Sequence, residues 1–186
     1  MHHIFIGYDH IAFLLALLLA ARGLMEMVKI ATSFTVAHSL TLLFSALDVI
    51  RLKPQVTESL IAASIVYVAV ENYTLKEGKY RWILTFAFGL VHGLGFSTVL
   101  KERLSESSGI LVPVVSFNVG VELGQIAILL VAFPLAAWAR RGPDKESGER
   151  RRRRLLVIGS TAILLLGVTW LAERLFTVKL VSQWLE

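Results

Sequence analysis

Apolar runs of about 20 residues, long enough for one helix to cross a lipid bilayer, recur along the whole of this chain. Hydrophobic residues make up 55% of it and its mean hydropathy is +0.67, while the 18% that are charged fall in clumps. A soluble domain of 186 residues would need far more polar side chains to cover its surface. The sequence therefore reads as an all-α fold, a polytopic membrane helix bundle whose first partner is the lipid bilayer.

Six spans are expected within one integral membrane domain over 1–186, at roughly 4–21, 28–47, 57–73, 81–100, 110–139 and 155–173. The fifth is long enough to tilt strongly or to kink near Pro134. The connections are short except for RRGPDKESGERRRRR, which reads as a polar, basic loop over 140–154. The run after Leu175 is amphipathic, with Trp184 suited to the interface. Met1 leads almost at once into an apolar segment, without a basic n-region or a small-residue cleavage site. The first segment is accordingly expected to stay as a span.

Basic residues orient the bundle. With six spans, loops one, three and five share a side and carry 13 of the 19 lysines and arginines. The positive-inside rule then puts 140–154 in the cytoplasm and both termini outside. Most of the net charge of +5 comes from that same stretch, so it reads as a topology signal and no nucleic-acid partner is expected. There is no cysteine, which excludes a disulfide framework, a thiolate metal site and a cysteine nucleophile.

Five residues stand out against the apolar background. His10 lies in YDHIAFLLALLLA, His38 in FTVAHSLTLLF, His92 in FGLVHGLGF, Glu71 in VAVENY and Glu122 in NVGVELGQ. Imidazoles and carboxylates are costly inside a bilayer and usually face a cavity, a partner or an ion. In the first span His3, Gly7 and His10 share a helical face. Asp9 is turned about 100° away and suits direct ligation or the orienting of a neighbouring imidazole. The competing reading leaves His2, His3 and Asp9 simply wet at the interface.

The second span aligns Thr35, His38, Thr41 and Ser45. Hydroxyls at that spacing can bond back to helix carbonyls, but a mid-membrane imidazole must satisfy both a donor and an acceptor nitrogen. The third span sets Ser64, Tyr67 and Glu71 on one face with Asn72 beside it, and Glu71 has the choice of snorkelling or pairing with Lys76. Gly89, Gly93 and Gly95 surround His92 and permit close helix approach. Asn118, Glu122 and Gln125 form the most polar transmembrane face in the chain, flanked by Gly120 and Gly124. The sixth span has no charged residue or histidine between Leu155 and Leu171 and reads as a packing element.

A weak internal repeat orders these residues. Phe34-x-x-x-His38-Ser-Leu echoes Phe88-x-x-x-His92-Gly-Leu, and Val70-Glu71 echoes Val121-Glu122. A histidine span followed by a glutamate span thus occurs twice in one orientation, like the parallel repeats of some transporters. In the inferred topology His10, His38, His92 and Glu122 reach overlapping depths. Three imidazoles with one or two carboxylates suit zinc, nickel or cobalt and disfavour magnesium or calcium, which take oxygen shells.

The segments GYDHIAFLLALLL, FTVAHSLTL, SIVYVAVEN, FGLVHGLGF and FNVGVELGQ, in that order from Gly7 to Gln125, resemble the hydrogenase/urease accessory membrane protein family (HupE/UreJ). The resemblance implies a small helical protein of a prokaryotic inner (cytoplasmic) membrane whose His, Asp and Glu residues handle nickel, with a permease role. Matched by position, it points to Asp9, His10, His38, Glu71, His92 and Glu122, with Asn72 and Asn118 as neighbours.

The leading expectation is a permease for nickel or a related divalent transition metal. The ion would lose water to His10, His38 and His92, be partly neutralised by Glu122 and Asp9, and leave by Glu71. No GxxxxGK[ST] motif is present, so transport would be facilitated or ion-coupled. The alternative is an intramembrane, zinc-type hydrolase of a lipid, lipoprotein or peptide. Three histidines leave a fourth position for an activated water, with Glu122, Asp9 or Glu71 as base and Ser39 a weaker candidate nucleophile. A third reading is a non-catalytic assembly or metal-sensing subunit. In each, His3, Asn72, Asn118 and Gln125 are supporting candidates, the divalent metal (nickel or zinc) is substrate or cofactor, and a homo-oligomer is open.

Overall fold

The computed structural model describes residues 7–21, 23–50, 52–74, 80–95, 111–139, 141 and 143–176. Among these are six helices and no strand: α1 (Tyr8–Ala20), α2 (Leu24–Ala46), α3 (Pro54–Thr74), α4 (Arg81–Gly95), α5 (Leu111–Ala139) and α6 (Lys145–Phe176). Each overlaps one of the six expected segments in residue range. Three of them, α2, α5 and α6, are long and apolar enough to cross a membrane, and α1 is a shorter apolar helix. The chain is an all-α bundle of an integral membrane protein.

The helix ends have local causes. Gly7 stands at φ 61 ahead of α1, a left-handed turn that glycine adopts without steric cost. At the far end of α2, Asp48 holds φ 60, with Val49 N–H donating to Phe44 O at 2.9 Å and Asp48 N–H to Ser45 O at 3.1 Å. This is a Schellman closure with aspartate where glycine is usual. Helix α5 runs unbroken through Pro134.

The 140–154 segment differs from the polar loop expected of it. From Lys145 onward it is the first part of α6. Asp144 caps the helix by accepting a bond from the Ser147 N–H at 2.6 Å, and that bond holds its carboxyl below the usual aspartate range. Arginine is a good helix former, and Arg150–Glu146 and Arg152–Glu149 pair along the surface. Charge alone had suggested a loop, but a capped run of helix formers with interleaved glutamates folds as a helix. At 32 residues, α6 is about 48 Å long, so its arginine end extends beyond a hydrocarbon core of about 30 Å.

Helix α1 lies at the centre of the packing. Its Phe13, Ala16 and Leu17 join Ile30 and Phe34 of α2, Ile61, Ile65 and Val68 of α3 and Trp170 of α6 in the main core. The most extensive pairings are α2 with α4 and α3 with α6. Gly89 and Gly93 explain the first of these. A Cβ at Gly89 would sit 2.7 Å from Phe34 O, and one at Gly93 would sit 2.5 Å from His38 O. The two Phe-x-x-x-His segments of the repeat therefore lie side by side and in register. Helix α5 is peripheral, touching α2 and α1, with Val114 its buried hydrophobic residue.

Candidate functional site: a buried histidine cluster

Three helices each deliver one imidazole to the same place. His10 comes from the first turn of α1, His38 from the middle of α2 and His92 from the last turn of α4. The His10 ring centroid is 5.5 Å from that of His38 and 4.7 Å from that of His92, in both cases near edge-on. His38 and His92 are 0% exposed, and both ring nitrogens of His10 are buried.

Aromatic rings wall the cluster. Phe34 lies 5.9, 5.8 and 5.2 Å from His10, His38 and His92, Phe13 lies 4.7 Å from His92, and Phe117 of α5 stacks on His38 at 6.5 Å. Two imidazoles bound to one ion through nitrogens at 2.0–2.1 Å have ring centroids about 5 Å apart. The helices therefore already supply a ligand-like spacing. Among the described residues, however, no three His, Asp or Glu side chains are arranged together as an ion would require.

His92 has a specific polar partner. Its Nε2 is 2.8 Å from Ser64 Oγ of α3, and the Ser64 hydroxyl donates to Ile61 O at 2.6 Å. His92 Nδ1 is buried and has no hydrogen-bond partner among the described residues.

The acidic candidates are held by arginines. Asp9 accepts from Arg174 Nη2 at 3.0 Å, and Glu58 approaches Arg174 Nε at 3.7 Å. Arg174 also lies over the Trp170 ring, and its carbonyl accepts from Gln55 Nε2. At the opposite end of the bundle Glu71 accepts from Arg81 Nη2 at 3.0 Å and Nε at 3.2 Å. Arg81 is 7% exposed and also donates to Asn72 Oδ1 at 2.7 Å. Asn72 Nδ2 in turn donates to Ala16 O and to Ser160 Oγ, which ties α3 and α4 to α1 and α6. The partner of Glu71 is thus Arg81; Lys76 lies outside the described residues.

The α5 candidates divide. Gln125 accepts from Thr35 Oγ1 at 2.8 Å and links α5 to α2. Asn118 Oδ1 is buried without a hydrogen-bond partner among the described residues. Glu122 is exposed, and so the structure does not gather it with the imidazoles. Thr41 bonds back to Ala37 O as a helical threonine ordinarily does. His3 lies outside the described residues.

Sequence reasoning overlooked Arg81, Arg174, Glu58 and Ser160, and it treated Ser64 only as one member of a polar face. A signal was available for the arginines, since a carboxylate in an apolar segment needs a cationic partner. Arg81 opens one span and Arg174 closes another.

Comparison with curated proteins and with solved structures finds no match to this chain. The resemblance read from the motifs extends beyond Gln125, through the arginine-rich segment and nearly all of α6. The chain belongs to the HupE/UreJ family, whose model, described as HupE / UreJ protein, matches residues 1–174.

Proposed function

We propose that this protein is a permease for nickel or a related divalent transition-metal ion, held in transit by His10, His38 and His92. The observation that carries the reading is the convergence of three buried imidazoles from α1, α2 and α4, with the His10 ring 5.5 Å from that of His38 and 4.7 Å from that of His92. Three neutral imidazoles do not offset the charge of a divalent ion in a medium of low dielectric, so a carboxylate must accompany them. Asp9 adjoins His10 and is freed when Arg174 releases it. Glu71 offers a second carboxylate toward the other end once Arg81 lets go. With 140–154 in the cytoplasm, Asp9 marks the outer approach and Glu71 the inner exit, in an inner membrane.

The same imidazoles would suit a hydrolase, but that chemistry needs a carboxylate base beside them. Asp9 and Glu71 are engaged by arginines and Glu122 is exposed, so either reading needs an arginine to release its carboxylate, and uptake of the ion separates the two. The test is nickel uptake into proteoliposomes together with metal analysis of the detergent-purified protein. Wild type should bind and transport nickel, and His38→Ala and His92→Ala should each lose both. Uptake that survives both substitutions would sink the reading.

A further inference from the structure

The two bonds of Ser64 fix more than a packing arrangement. Its hydroxyl has one proton and acceptor lone pairs, whereas the Ile61 carbonyl can only accept. The 2.6 Å separation between those oxygens is a hydrogen-bond distance, so the Ser64 proton lies on the Ile61 side. A lone pair of Ser64 Oγ therefore faces His92 Nε2 at 2.8 Å, and Nε2 must be the donor. A neutral imidazole carries one N–H. Its one in-plane lone pair is then on Nδ1, the buried atom that has no hydrogen-bond partner among the described residues.

From this geometry we infer that Ser64 is a positioning residue: it holds His92 as the Nε2–H tautomer and leaves Nδ1 as the atom that ligates the transported ion. The inference rests on the metal-permease reading and specifies how one ligand is presented. Histidine ligands commonly donate their second ring N–H to a fixed acceptor, which sets the ring orientation and raises the basicity of the ligating nitrogen. The acceptor is usually a carboxylate, a carbonyl or water. Here a serine does this work, and the α3 backbone holds the serine hydroxyl in turn. The same bond direction argues against Ser64 as a nucleophile, because His92 donates to its oxygen and is not placed to take its proton.

Two measurements on the full-length protein in detergent test the inference. Side-chain ¹⁵N NMR of the metal-free protein, with the His92 signals identified by their loss in His92→Gln, should show a protonated Nε2 and a bare Nδ1. Ser64→Ala should abolish that preference, and Ser64→Thr, which keeps the hydroxyl, should retain it. Nickel titration calorimetry should show Ser64→Ala binding about 10–100-fold more weakly, with unchanged thermal unfolding and elution volume, and Ser64→Thr close to wild type. A proton on Nδ1 in the metal-free wild type would overturn the inference, as would full nickel affinity in Ser64→Ala. If wild type bound no nickel, the permease reading would fall, while the tautomer would still decide the positioning role separately.

Discussion

Replacing Gly93 with alanine should damage the histidine cluster without touching a histidine. The new Cβ would lie 2.5 Å from His38 O and 3.0 Å from Thr41 Cβ. Ordinary contact begins at 3.4 Å, so the closest approach falls short by about 0.9 Å in a packed interior with little room to give. Its nearest neighbour is a backbone carbonyl of α2 and no side-chain rotation relieves it. Helix α4 must therefore retreat from α2 by a comparable amount. Overpacking of this kind costs roughly 1–3 kcal/mol, partly offset by the ~0.5–1 kcal/mol that alanine gains over glycine inside a helix. The midpoint of thermal unfolding should fall by roughly 2–4 °C for each net kcal/mol lost.

The functional effect should exceed the effect on stability, because His92 is the neighbouring residue and moves with the helix. Metal–ligand distances tolerate only about 0.2 Å, so nickel affinity should drop by tenfold or more, at least ~1.4 kcal/mol. Gly120→Ala is the internal control, since nothing lies within 4 Å of a Cβ there. It should leave nickel binding unchanged and stability equal or slightly higher. Thermal unfolding and titration calorimetry on the same detergent preparations read both quantities. If Gly93→Ala proved as stable as Gly120→Ala and bound nickel like wild type, the inferred close approach of α2 and α4 would be refuted.

Two further expectations concern the ionic contacts and the topology. Arg81→Ala should destabilise the bundle by roughly 3 kcal/mol, because it leaves Glu71 uncompensated and removes a donor from Asn72. The double variant Arg81→Leu/Glu71→Leu should recover much of that loss in thermal unfolding, and failure to recover would show that the pair contributes more than charge compensation. The chain has no cysteine, so single cysteines report sidedness directly. In intact cells Ser147→Cys should resist a membrane-impermeant maleimide until the membrane is permeabilised. Val49→Cys, at a position 68% exposed, should react at once. The reverse pattern would invert the proposed orientation.

The bundle and its histidines were legible in the sequence for one reason. The cost of placing a group in a bilayer depends on that group and its immediate surroundings, so it can be read one segment at a time. His10, His38 and His92 were found this way, and the structure gathers all three. The same cost also drew attention to Glu71 and Glu122, but it does not say what relieves each of them. Glu71 finds Arg81 ten positions on, across a helix connection, and Asp9 finds Arg174, 165 positions away. No spacing rule within one helix encodes such pairs. The repeat shows the same division. Its Phe-x-x-x-His halves meet in register because glycines let α2 and α4 touch, whereas Glu71 is clamped and Glu122 is exposed.

The arginine clamps give the candidate site its charge logic. A divalent ion reaching three neutral imidazoles needs negative charge nearby, yet guanidinium groups already neutralise both Asp9 and Glu71. Arg174 belongs to α6 and Arg81 to α4, while the carboxylates they hold belong to α1 and α3. The two pairs thus join different helices at opposite ends of the bundle. In the proposed permease, an arriving cation would compete with Arg174 for Asp9, and the Asp9–Arg174 and Glu71–Arg81 pairs would serve as the two closures on either side of the imidazole cluster.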